Sequence, residues 1–128
     1  MVVDSSALLA ILLNEPERAA FLQKLSEADN VLLSTATFLE IFIVYAGRVG
    51  PSEIAALEDL LETFSITLVA FTPEQSLEAQ QAWLQFGKGN HKAKLNFGDC
   101  FSYALSKVSR QPLLFKGKDF AHTDLARA

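Results

Sequence analysis

Met1-Val2-Val3-Asp4-Ser5-Ser6-Ala7-Leu8-Leu9-Ala10-Ile11-Leu12-Leu13 opens the chain, and its reading decides how everything after it is placed. Two β-branched residues predict a short buried strand, and the apolar run from Ala7 predicts a helix, so Asp4 stands where a strand ends and a helix begins. In an open α/β sheet that edge is where ligands bind. Asp4 also has an ordinary use there. Like Ser5 and Ser6, it can cap the helix, because a short oxygen-bearing side chain accepts unpaired amide hydrogens of the first turn. The stretch alone leaves both roles open.

The rest of the chain repeats the alternation. Pro16 to about Leu25 predicts a helix, Asp29-Asn30 a turn, Val31-Leu32-Leu33 a strand, and Thr35 to about Arg48 a helix with Ser34, Thr35 and Thr37 as available caps. Gly50-Pro51 stops that helix, and Ile54, Leu57, Leu61 and Phe64 recur at helical spacing in the next. Ile66 to Phe71 reads as a third strand. Thr72-Pro73-Glu74 starts a helix whose packing side is Leu77, Ala79, Ala82, Trp83 and Phe86. A glycine- and lysine-rich loop follows from Gly87 to Lys94, then a helix from Asn96 or Phe97, then a fourth strand at Pro112-Leu113-Leu114-Phe115. This order implies an α/β fold with a parallel sheet and helices on both faces.

A chain of 128 residues that is 50% hydrophobic and carries ten Phe can build one substantial core, so a single domain over residues 1–128 is expected. The one cysteine, Cys100, excludes an internal disulfide and a cysteine-rich zinc site, which fits a reducing compartment, and a cytoplasmic location is expected. Asp4 interrupts the apolar start and no basic segment precedes it, so neither a signal peptide nor a membrane span is expected. The net charge is -4, but it is unevenly spread. Residues 1–87 hold three basic and twelve acidic side chains, whereas residues 88–118 hold seven basic ones and only Asp99. Such asymmetry hints at a polyanionic partner, although a solvated loop and helix face would give the same count.

Three further acids stand in informative places. Glu40 lies in Phe38-Leu39-Glu40-Ile41-Phe42-Ile43-Val44-Tyr45-Ala46, a helix segment apolar on nearly all sides, as in a buried helix or one that covers a partner. A carboxylate on that stripe needs hydrogen-bond donors or a cation, and Arg48 is about 12 Å further along the helix. Asp99 falls in the first turn of its helix, where backbone dipoles favour an anion without any catalytic role. Asp119 lies just beyond the fourth strand, so it shares the carboxyl edge of the sheet with Asp4. Cys100 has no adjacent His and reads as a small core residue, and His91 reads as exposed. Gly87-Lys88-Gly89 matches neither a Walker loop nor a dinucleotide fingerprint.

Asp4-Ser5-Ser6-Ala7-Leu8, Glu40 in a helix after a short strand, Leu95-Asn96-Phe97-Gly98-Asp99-Cys100, and Leu114-Phe115-Lys116-Gly117-Lys118-Asp119-Phe120 with Thr123-Asp124 together resemble a PIN-domain protein of the VapC toxin ribonuclease type. The resemblance covers nearly the whole chain. It implies a three-layer α/β/α sandwich around a mostly parallel sheet of four to five strands, and an acidic quartet, Asp4, Glu40, Asp99 and Asp119, holding Mg²⁺ or Mn²⁺. Ser6, Asn96 and Thr123 match polar positions that orient the acids, and Asp124 a position that is sometimes acidic near the pocket. The toxin would be an endoribonuclease of a type II toxin-antitoxin system, leaving 5′-phosphate and 3′-hydroxyl ends. Its partners would be a VapB-type antitoxin that covers the pocket, often inserting a basic side chain among the acids, and a second copy of the chain.

The chemistry suits these residues on its own terms. Hard divalent cations take oxygen ligands, and such a cation makes water a usable nucleophile near neutral pH while stabilising charge on a phosphate. Lys88, Lys92, Lys94, Lys116 and Lys118 would hold the RNA backbone. A nucleic-acid-binding module without catalysis is the alternative that residue types exclude least. A phosphorelay receiver fits poorly, because Ile66 to Phe71 carries no acid, and a haloacid-dehalogenase-type phosphatase fits poorly because Ser6 stands where its second Asp belongs.

Overall fold

The computed structural model describes all of residues 1–128. Four short strands, β1 (Val2–Val3), β2 (Leu32–Ser34), β3 (Thr67–Val69) and β4 (Leu113–Leu114), form one sheet in the order β3-β2-β1-β4. All pairings are parallel, with Val2 opposite both Leu32 and Leu113 and Val3 opposite Leu114. The expectation of a mostly parallel sheet of four to five strands is met at four. A lone parallel bridge from Leu113 to Arg127 adds a rudiment of a fifth.

Six helices connect and flank the strands: α1 (Ser5–Leu12), α2 (Arg18–Glu27), α3 (Thr35–Val49), α4 (Ala55–Thr63), α5 (Pro73–Phe86) and α6 (Phe97–Ser109). Because successive strand residues point to opposite faces, neighbouring apolar residues divide between two cores. Val3, Leu33 and Leu114 join Ala7, Leu8, Ile11, Phe21, Ile41 and Leu57 on the side of α1 to α4. Val2 and Leu113 join Ala82, Phe86, Tyr103, Leu105, Phe115 and Phe120 on the side of α5 and α6. The result is the α/β/α sandwich, and strands of two or three residues suffice because both faces are covered.

Several local expectations are corrected. The second helix begins at Arg18 and not Pro16, since the Arg18 guanidinium reaches back to the carbonyl of Ile11 and Pro16-Glu17 is spent on the turn. On α5 the buried stripe is Gln75, Ala82 and Phe86, whereas Leu77 is 61% and Trp83 40% exposed. Gln75 occupies a core position because its side-chain amide donates to the carbonyl of Ala70 at 2.9 Å. His91 is half-buried and not exposed: its ring sits edge-on to Phe86 and its Nδ1 accepts the amide of Ala93 at 3.0 Å, which ties the basic loop to α5.

The apolar girdle of α3 resolves into two faces. Ile41 and Tyr45 are buried, while Leu39, Phe42, Ile43 and Val49 are solvent-exposed. No helix of the chain is long and apolar enough to cross a membrane.

Candidate active site

Asp4 performs both of the roles that its position allows. As the N-cap of α1 its Oδ2 accepts the amide of Ser6 at 3.0 Å and the hydroxyl of Ser6 at 2.6 Å. Its Oδ1 accepts the hydroxyl of Ser102, from α6, at 2.7 Å. The residue is only 2% exposed, so three donors support a carboxylate in a setting that would otherwise disfavour its charge. Ser6 has a second task, since its Oγ accepts the amide of Lys116 at 3.0 Å and so fastens the exit of β4 to the start of α1.

Glu40, on α3, is half-buried beside this cap, and its Oε1 accepts the hydroxyl of Ser5 at 3.2 Å. Its stripe therefore meets the rim of the sheet edge and not the apolar interior. Burial raises its proton affinity and the charge of Asp4 raises it further, against the opposing pull of Ser5. Asp99 lies in the first turn of α6 and makes a reciprocal capping box with Asn96. The amide of Asp99 donates to Asn96 Oδ1 and the amide of Asn96 to Asp99 Oδ2, each at 2.9 Å. Its carboxyl is nevertheless pushed up to about 7, mainly by burial, with the Asn96 amide opposing and the charges of Asp4, Asp119 and Glu40 adding to the rise. Asp119 is exposed in the loop after β4, close enough for its charge to register on Asp99. Four acids from four distant parts of the chain thus share one neighbourhood at the carboxyl edge of the sheet.

The donor set fits a hard divalent cation. Every atom these residues offer is a carboxylate oxygen, and the chain's ion pairs, Lys107–Asp124, Lys116–Glu15 and Lys116–Glu17, involve none of the four. As the side chains stand, no three of them close around one point. Mg²⁺ commonly uses one or two carboxylates directly and keeps several waters, so a cation here would not need all four acids as direct ligands.

Asp124 is not brought to this cluster. After β4 the chain turns back, and the bridge at Leu113 shows residues near Arg127 running parallel to β4, which returns Asp124 to the amino end of the sheet. There Asp124 accepts the hydroxyl of Tyr103 at 2.6 Å and the ammonium of Lys107, in the last turn of α6, at 2.8 Å. Thr123 is spent locally, its hydroxyl donating to the carbonyl of Phe120 at 2.7 Å. Lys116 is also committed elsewhere, pairing with Glu15 and, at 3.2 Å, with Glu17. Lys88, Lys92, Lys94 and Lys118 remain exposed.

Two residues of the site escaped the sequence reading. Ser102 holds Asp4, and its Oγ lies 3.3 Å from the hydroxyl of Thr37. A signal was present: Ser102 follows Asp99 by three residues and Thr37 precedes Glu40 by three, so each shares a helix face with a predicted acid. Beside the acids, Ala36, Phe71, Trp83, Phe97, Cys100 and Phe101 border an apolar groove of about 850 Å³. Burial, and secondarily the charge of Asp99, pushes the Cys100 thiol up to about 11, consistent with an inert packing residue.

A family model described as the PIN domain matches residues 1–125. Ribonuclease VapC30 of Mycobacterium tuberculosis is 47% identical over 127 residues, covering 98% of this chain and 96% of the relative. The chain belongs to the PIN-domain family, among the VapC ribonucleases. Ribonuclease VapC of Mycolicibacterium smegmatis is 46% identical over 126 residues, covering 98% of each chain. Among solved structures, the M. tuberculosis toxin VapC20, described as cleaving the sarcin-ricin loop, superposes with a TM-score of 0.80 at 14% identity, covering 99% of this chain and 97% of that one. A VapBC2 complex from Rickettsia felis bound to a promoter DNA fragment gives 0.76 at 8% identity, with coverage of 99% and 96%. At such identities the structures speak for the PIN fold, and the VapC relatives speak for the ribonuclease.

Proposed function

We propose that this VapC-type ribonuclease hydrolyses RNA at the Asp4, Glu40, Asp99 and Asp119 cluster with Mg²⁺ or Mn²⁺, as the toxin of a toxin-antitoxin pair acting in the cytoplasm. The observation that carries the reading is the convergence of four acids with no basic partner, one of them Asp99 with its proton affinity raised mainly by burial and further by the charges of the other three. A divalent cation bound there supplies the positive charge that offsets the scissile phosphate and lowers the cost of deprotonating a water. Asp4 and Asp99 are the best-oriented ligands, because Ser6, Ser102 and Asn96 fix their carboxylates. Glu40 and Asp119, with fewer restraints, would accept protons or hold water. The direct test is to map RNA ends after brief expression: new 5′-phosphate and 3′-hydroxyl ends are expected, absent with an Asp99→Asn control. Ends of the cyclic-phosphate kind would refute hydrolysis by water.

The RNA backbone is proposed to cross Lys88, Lys92, Lys94 and Lys118. Replacing all four with Ala is expected to weaken binding and to flatten the salt dependence by up to about 0.7 per lost phosphate contact on a single strand. An unchanged slope in filter binding across a salt series would remove these lysines from the interface.

The proposed VapB-type antitoxin would cover the acids, with the neighbouring apolar groove as further contact surface. A homodimer is proposed through α3, whose Leu39, Phe42 and Ile43 form a projecting apolar patch. Ile43→Asp is expected to yield monomer in sedimentation equilibrium at micromolar concentration. A variant that stays dimeric would place the interface elsewhere.

A further inference from the structure

Gly98 is the second residue of α6, between Phe97 and Asp99. Its backbone is not among the glycines with positive φ, so the conformation does not call for glycine, and alanine is the better helix former. What calls for glycine is the space in front of it. A Cβ at this position would lie 2.9 Å from Cδ and 3.0 Å from Oε1 of Glu40, and closer still to Oε2. The three nearest atoms all belong to that one carboxylate. On its other side the carboxylate meets the hydroxyl of Ser5, so Glu40 is held between α1 and the first turn of α6, next to Asp99.

We propose that Gly98 is a positioning residue that sets the separation of Glu40 from Asp99 and thereby the affinity of the site for a divalent cation. The inference rests on the cation reading given above. The obstacle a methyl group would meet is the far end of a flexible side chain and not backbone, so alanine can be accommodated by moving Glu40. Folding is spared, and the carboxylate is displaced. A glycine that weakens its helix locally yet fits a functional acid is the kind of local inconsistency expected at a working site.

The test is Mn²⁺ binding to the RNA-free chain by titration calorimetry, with thermal melting in chelator alongside. Gly98→Ala is expected to weaken Mn²⁺ about 10- to 100-fold, the usual scale for residues that orient ligands, while its metal-free melting temperature stays level or rises. Adding Glu40→Asp, which retracts the carboxylate by one methylene, should recover part of the lost affinity. In a Glu40→Ala background Gly98→Ala should have no further effect on binding. Wild-type affinity in Gly98→Ala would overturn the proposal, as would a loss of affinity that matches a drop in melting temperature and is indifferent to residue 40. Wild-type chain that binds no Mn²⁺ would overturn the cation reading and this inference with it, an outcome the wild-type titration identifies by itself.

Discussion

Asp4→Asn is expected to lower the single-turnover rate of RNA cleavage by roughly 10³-fold or more while leaving the chain folded, since a cation site supplies several kcal/mol of charge stabilisation. The two halves of this expectation come from the two roles of the residue. Asn caps a helix as well as Asp does, so the bond from the Ser6 amide has a replacement acceptor. The same amide oxygen can also accept the Ser6 hydroxyl, which shares Oδ2 with that amide, while the Ser102 hydroxyl, now on Oδ1, can turn to accept from the Asn amide nitrogen. What is lost is the negative charge. Asp4→Ala separates the effects, because it also removes the cap, at about 1 kcal/mol, and takes away the acceptor of the buried Ser102 hydroxyl, leaving Thr37 as its remaining partner. Melting curves read the stability difference between the variants. Cleavage by Asp4→Asn within tenfold of wild type would take Asp4 out of the reaction and leave it only a cap.

Chelation should have an effect of similar size. EDTA is expected to bring cleavage to background and added Mg²⁺ or Mn²⁺ to restore it, with a rise in folding stability of about 2.7 kcal/mol at a cation concentration of 100 times Kd. The pH dependence of the metal-free chain follows from Asp99. Its folded-state value of about 7 stands above the ordinary 3.8, so between those values the folded chain holds the proton more tightly than the unfolded one. The cost of ionising Asp99 in place therefore grows as pH rises through that window and is full above about 7. Metal-free wild type should lose melting temperature relative to Asp99→Asn as pH is raised from about 5 to about 8, and a saturating cation should abolish the trend. A difference that narrows over the same range would show that the folded chain does not hold the Asp99 proton more tightly than the unfolded one.

Sequence pattern alone reached the strand-helix alternation, the parallel sheet and the place of Asp4 and Asp119 beyond strand ends, because those features follow from local signals. Val2-Val3-Asp4 carries a strand, its end and a cap within three residues. Asn96 and Asp99 carry a whole capping box within four. The resemblance to PIN domains joined these pieces into one site. Only the tertiary structure decided which side chains serve it. Ser102 meets Asp4 across 98 positions of chain, Ser5 meets Glu40 across 35, and Gly98 matters through a side chain on another helix. Position in the sequence was misleading where a side chain had a second suitor. Lys116 follows β4 as an RNA contact should, but Glu15 and Glu17 hold it. Asp124 is acidic and close in sequence to Asp119, but the chain reverses between them and delivers it to Tyr103 and Lys107. Periodicity tells which residues share a face and not what that face will meet, so the exposure of Trp83 and of the Leu39–Ile43 patch waited on the packing of α5 and α3. Local chemistry thus determined where carboxylates could stand, and long-range packing determined which of them are held, which are free, and which face one another.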